Sequence, residues 1–173
     1  VFMDYLIVVD MQNDFVTGAL GTKEAVSIIP NVKKKIEDFK GFVLYTRDTH
    51  EKNYSSTQEG KKLPVEHCIK NTKGWELIPE LGEIPAKQII DKPTFGSAAL
   101  GEFLRLKDKE EGVDSITLIG LCTDICVISN AFLLKAFLPE VPIYVDSSCC
   151  AGVTEESHFR ALETMKVCQI EVY

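Results

Sequence analysis

Long apolar runs are missing from this chain. No hydrophobic stretch approaches the ~20 residues that a bilayer-spanning helix needs, so a membrane-spanning reading is excluded. Basic clusters are scarce as well. Lys and Arg number 19 against 26 Asp and Glu, a formal net charge of −7, and the only basic runs are Lys33–Lys35 and Lys61–Lys62. Such a chain lacks the positive stripe that nucleic acid or an anionic lipid surface requires, and neither is expected as a partner. The opening VFMDYLIVVD reads as a strand and not as a secretory leader. Histidine occurs only three times. Cysteine occurs six times, but its spacing fits no small disulfide scaffold. With no export signal, the thiols read as reduced and the protein as cytoplasmic. No internal repeat, low-complexity tract or linker divides the sequence.

What is present suits one domain, residues 1–173, with a substantial core: 173 residues, 45% hydrophobic. Runs rich in Val and Ile at Tyr5–Val9, Phe42–Thr46, Gln88–Ile90, Ser115–Ile119, Ile143–Val145 and Gln169–Val172 predict six strands. Several are apolar throughout, as strands covered on both faces are. Between them lie helical patterns: one opened by Pro30 through Phe39, one capped by Ser97 to about Leu106, one over Cys126–Phe137, and one from Thr154 to Met165. This alternation predicts an α/β fold, a single-domain three-layer α/β/α sandwich with a mostly parallel six-stranded sheet of Rossmann-like type. Sites in such folds lie beyond the carboxyl ends of the strands. The span Asp48–Glu83 is too long for an ordinary connection and is therefore a functional candidate.

Four strands end in polar residues: Asp10 after the first, Asp48 and His50 after the second, Asp91 and Lys92 after the third, and GLCTDIC after the fourth. Asp10, Asp48, His50, Lys92 and Cys126 can thus share one sheet edge. In the first turn of a helix, Cys126 meets unpaired N–H groups and a positive dipole end, and both favour the nucleophilic thiolate. A neighbouring Lys92 adds to that, Asp10 can take the proton, and the turn's N–H groups can face a developing oxyanion. The bland readings stand beside these: Cys126 as a small core residue, Asp10 as a turn cap, Lys92 as a solvated lysine. Asp48 and His50 face the same way on extended backbone, and His67 lies in the same long loop. An O, N, N set of that kind suits zinc, manganese or iron(II). Without a metal, the same residues are loop hydrogen-bonders. Cys122 and Cys126 lack the two-residue spacing of most structural zinc sites. His158 reads as a surface or cap residue, Glu59 as surface before an additional metal-site carboxylate, and Trp75 as core before a pocket wall.

On VVDMQNDFV, YTRDTH, EHCIKNTKGWEL, DKPTFGS and GLCTDICV, in that order, the chain resembles the isochorismatase-like cysteine hydrolases and, within them, the nicotinamidase/pyrazinamidase branch. The resemblance covers nearly the whole chain. It implies a catalytic triad of Asp10, Lys92 and Cys126, with metal ligands Asp48, His50 and His67. It also implies a cis peptide at Leu121–Cys122, which would turn the Cys122 N–H towards an oxyanion hole shared with the Cys126 N–H. Phe15 is implied as a pocket wall. One divalent metal ion, zinc first and then manganese or iron, would hold the ring nitrogen of a small carboxamide substrate. The product would be the acid plus ammonia, formed through a thioester. Homodimers or homotetramers are common in the family.

The chain departs from the pattern at Thr49, where many nicotinamidases have an aromatic, at Tyr54, where many have histidine, and at Cys149 and Cys150 in a stretch that lines the family's site. Two other hydrolase readings stand: a carbamoyl or ureido substrate, against which the metal set argues, and isochorismate, against which Cys126 argues. A non-enzymatic thiol- or metal-binding protein is the reading from a different class.

Overall fold

The computed structural model describes residues 3–173. Six strands form one sheet: β1 (Met3–Val9), β2 (Phe42–Asp48), β3 (Ile89–Lys92), β4 (Val113–Leu121), β5 (Ile143–Ala151) and β6 (Glu171–Val172). Their order is β3-β2-β1-β4-β5-β6, and every pairing is parallel, not merely most of them. The central strands explain the apolar sequence runs. Leu6, Ile7, Val8 and Val9 of β1, like Ile116, Leu118 and Ile119 of β4, are fully buried because helices cover both faces.

The described residues form seven helices, α1 (Asn13–Val16), α2 (Lys23–Ser27), α3 (Ile29–Asp38), α4 (Gln58–Lys62), α5 (Ala98–Glu111), α6 (Ile128–Phe137) and α7 (Glu155–Val167), of which α2, α3, α5, α6 and α7 provide that cover. Leu100 and Leu104 of α5, Ala131 and Leu134 of α6, and Leu162 and Met165 of α7 pack on one face of the sheet. On the other face, Ala25 of α2 and Val32 of α3 meet Leu6, Val8 and Ile119. The start signals act as read. The Ser97 hydroxyl accepts from the Leu100 N–H, and Thr154 and Ser157 close a reciprocal capping box on α7. No helix among the described residues is long and apolar enough to cross a membrane.

The boundaries shift where chemistry-bearing residues lie. The sequence predicts a helix from Cys126, but α6 begins at Ile128. Residues 123–127 instead wind as a wider turn, in which the Val127 N–H donates to the Cys122 carbonyl at 3.0 Å. Strand β5 continues through Ser147–Ala151, so Cys149 and Cys150 sit buried in the two opposite apolar layers. The span after Asp48 carries α4 and short 3₁₀ turns at Tyr54–Ser56 and Pro79–Leu81.

The chain runs outward from β1 through β2 to β3, then returns to build β4 on the other side of β1. The connections that leave β1 and β4 therefore diverge to opposite sides, and a crevice opens above their carboxyl ends. Asp10 and Cys122 are the first residues past those two ends.

Candidate active site

Asp10 leaves β1 with a positive φ of 49°, in the left-handed region that aspartate tolerates better than most residues. Its Oδ1 accepts from the Thr46 hydroxyl at 2.6 Å. Its Oδ2 lies 2.7 Å from Lys92 Nζ as an ion pair. That oxygen is buried and forms no aligned hydrogen bond, so it keeps acceptor capacity. Lys92 comes from the end of β3 and is fully buried. Its Nζ reaches Cys126 Sγ at 3.2 Å, the Thr94 carbonyl at 3.2 Å and Asp48 Oδ1 at 3.6 Å. Three strand ends thus meet at one ammonium. Asn130, fully buried on α6, ties the Cys126 turn to the loop after β3. Its amide donates to the Cys126 and Phe95 carbonyls and accepts from the Ser97 N–H.

The electrostatics correct one expectation. Helix geometry alone favours a Cys126 thiolate, yet burial pushes this thiol well up, and the Asp10 carboxylate pushes it further against the opposing Lys92 charge. Burial also raises Asp10, again against Lys92. Desolvation would lower Lys92, but Asp10, Cys126 and Asp48 together hold it above its ordinary value. Burial thus works against the thiolate, while Asp10 Oδ2 keeps acceptor capacity beside the thiol.

The peptide Leu121–Cys122 is cis. Thr123, buried at the start of the wide turn, shares a 2.7 Å hydrogen bond with His158 Nδ1 from α7. His158 is therefore half-buried against the start of this turn, nearer the cap reading than the surface one. Its signal in the sequence was too weak to read, because a lone histidine at helical spacing looks like any other. Gln12 and Thr46, which hold Asp48 and Asp10, also escaped the sequence reading.

Beside the cysteine lies a second cluster. Asp48, His50, Glu59 and His67 each offer a ligand atom, all within 4.8 Å of one another. His50 Nε2 is 2.9 Å from Asp48 Oδ2 and 3.6 Å from Glu59 Oε1; His67 Nε2 is 3.5 Å and 3.8 Å from the same two atoms. Four ligands at about 2.0–2.2 Å from one tetrahedral ion lie roughly 3.3–3.6 Å apart, so this donor set fits a divalent cation. His67 Nδ1 faces the Val65 carbonyl at 2.8 Å, which leaves Nε2 turned to the cluster. Glu59, expected first at the surface and second as an additional metal-site carboxylate, joins because α4 folds back over the histidines. Tyr54 stands edge-on to both rings and donates to the Leu63 carbonyl. It walls the cluster without offering a ligand to it.

One cavity of about 460 Å³ joins the two clusters. Asp48, Glu59 and His67 line one side, Cys122 and Cys126 another, with Phe15, Leu63, Phe95 and Ile125 as apolar walls. The Phe15 ring centroid is 5.5 Å from that of His67. Trp75 and Thr49 are not part of the lining. The indole donates to the Thr49 hydroxyl, and Arg47 stacks on its ring at 3.6 Å.

Residues 4–173 match the isochorismatase domain family model. A nicotinamidase of Schizosaccharomyces pombe is 28% identical over 99% of this chain and 93% of its own. The structure of a pyrazinamidase of Pyrococcus horikoshii in complex with zinc is similar at a TM-score of 0.82 and 32% identity, covering 99% of this chain and 98% of that one. An N-carbamoylsarcosine amidase from Thermoplasma acidophilum is similar at a TM-score of 0.77 and 27% identity, covering 99% and 95%.

Proposed function

The chain belongs to the isochorismatase domain family, and from that premise we propose that it is a metal-assisted cysteine amidohydrolase that converts nicotinamide, or a similar small carboxamide, to the acid plus ammonia. It is a hydrolase of carbon–nitrogen bonds. The observation that carries the reading is the single cavity in which Cys126, beside a buried ammonium and a carboxylate with a free acceptor, faces a four-ligand cation site.

Asp10 Oδ2 takes the Cys126 proton as Sγ attacks the carboxamide carbonyl. Lys92 stays charged and offsets the negative charge that builds on sulfur and on Asp10. The Cys122 and Cys126 N–H groups receive the oxyanion. Asp10 then returns its proton to the departing amine, which leaves as ammonia, and a thioester remains on Cys126. Water, deprotonated by Asp10, cleaves the thioester and frees the acid and the thiol. Asp48, His50, His67 and Glu59 would hold a divalent ion, with zinc first among the candidates. When bound there, such an ion would supply a Lewis-acid contact for an electron pair of the substrate's ring. Phe15 walls the ring.

The test is incubation with nicotinamide and an ammonia assay. Release of ammonia supports the reading. Release from a ureido compound but not from nicotinamide supports the second reading, an amidase of carbamoyl substrates, which the likeness to N-carbamoylsarcosine amidase favours. A homodimer or homotetramer is proposed as the assembly, to be measured by light scattering.

A further inference from the structure

Gln12 is fully buried, and its carboxamide is completely engaged. Nε2 donates to the Asp48 carbonyl at 2.9 Å and to the Trp75 carbonyl at 2.8 Å, while Oε1 accepts from the Asp48 N–H at 2.8 Å. The place in the sheet explains the pattern. Strands β1 and β2 pair in register up to Val9↔Thr46, and the Asp10 N–H still donates to the Thr46 carbonyl at 3.2 Å. There the backbone turns away, with Asp10 at φ 49°. Two residues further along β2, the N–H and C=O of Asp48 point back to where β1 would have continued. Left alone, both would be buried without partners.

We infer that Gln12 is a positioning residue whose side-chain amide replaces the missing peptide group, adding one rung to the β1–β2 ladder and so fixing the backbone of Asp48. The inference rests on the metal reading given above. The consequence reaches both clusters, because the Asp48 carboxylate sits between His50 at 2.9 Å and Lys92 at 3.6 Å. The neighbouring side chains hold the same long loop elsewhere. Asn13 Nδ2 donates to the Lys73 carbonyl, and Asp14 Oδ2 accepts from the N–H of Cys68, next to His67. Of the three, only Gln12 touches the backbone of a ligand residue.

The experiment measures zinc affinity of the whole chain by competition with a chelator, with zinc ion as the probe. Gln12→Met removes the three bonds at similar volume. Gln12→Glu keeps the acceptor for the Asp48 N–H but sets an oxygen against two carbonyls. Both are expected to weaken zinc binding by about 10–100-fold, the range typical of lost outer-shell support. Asn13→Ala, which frees only an exposed carbonyl, is expected to bind zinc as the parent does. Should Gln12→Met fail to fold without metal, Gln12→Glu, the same size, carries the test. A merely structural role would lower the melting temperature of both variants and leave the zinc affinity of the folded protein unchanged; that result overturns the inference. If the parent chain itself binds no zinc, the metal reading falls first and this inference with it. Normal affinity in the parent with equal affinity in folded Gln12 variants removes this inference alone.

Discussion

Lys92 carries charge in a place where water cannot help it, and its partners explain why that is tolerated. Asp10 Oδ2 at 2.7 Å and Asp48 Oδ1 at 3.6 Å surround the ammonium, and removal of it would leave two carboxylates facing each other in the interior. Lys92→Met is therefore expected to lose turnover and about 3–5 kcal/mol of stability, the usual cost of orphaning a buried charge. Urea unfolding checks the second part. The double variant Asp10→Asn/Lys92→Met should regain most of that stability and none of the activity, which separates the structural debt from the chemistry. Cys126→Ala behaves differently. It removes one sulfur from a packed wall and no charge, so turnover should vanish while zinc binding stays as in the parent. A chain with unchanged ammonia release after that substitution is not a cysteine hydrolase. A chain without turnover before or after, with metal retained, is a binding protein.

At the scale of elements, β5 is tied to α3 by polar contacts that the core does not supply. Asp146, in β5, pairs with Lys35 of α3 at 3.0 Å and accepts from the Ser148 N–H and hydroxyl. Burial pushes its carboxyl up, but the Ser148 and Lys35 contacts outweigh burial and hold it below the ordinary carboxylate range. A depressed folded-state pKa adds stability above the unfolded value of about 3.9, and that stability is lost as pH falls through the folded value. Asp146→Asn should thus cost about 1 kcal/mol at pH 7, discounted for partial solvent screening. The difference from the parent should close as unfolding is measured below about pH 4. A gap that widens in acid would refute the assignment. Elements of this kind were also the part of the fold most legible in the sequence. Val- and Ile-rich runs, Pro30, Ser97 and the Thr154 box each report a local preference, and the structure keeps them. What stayed hidden depends on contacts distant in sequence. The β4–α6 joint winds wide around Cys122–Val127, β5 extends through polar DSSCCA with Cys149 and Cys150 buried on opposite faces, and α4 packs Gly60 against the Tyr54 carbonyl, where a Cβ would collide. Asp10, Lys92 and Cys126 could be named as strand-end residues. Gln12, Thr46, Asn130 and His158 could not, because nothing in their local sequence says what they will touch.

For the molecule as a whole, the two clusters differ in how deeply they belong to the fold. The triad-like group rests on the ends of β1 and β4, central in the sheet, and on β3 at its edge. Of the four candidate ligands, only Asp48 lies on a strand, while His50, Glu59 and His67 ride on the long excursion between β2 and β3. Cys126 also packs in one of the apolar layers on the sheet. Removal of a bound ion by a chelator should therefore leave the sheet and its helices standing. The stability lost is only the linkage contribution, about 2.7 kcal/mol if the free ion stood at 100 times its dissociation constant. At this chain length that corresponds to a fall of roughly 5–11 °C in melting temperature, with the transition still cooperative. Turnover of a ring carboxamide should disappear with the ion and return when a divalent cation is added back. Proteolytic cleavage should quicken between Glu51 and Ile69, where Glu59 and His67 lose their common partner. Circular dichroism, a melting curve and a timed digest of the same chelated sample read these three outcomes together. Collapse of the secondary structure on chelation would mean that the ion organises the core, and this division between a rigid nucleophile floor and a metal-braced wall would be wrong.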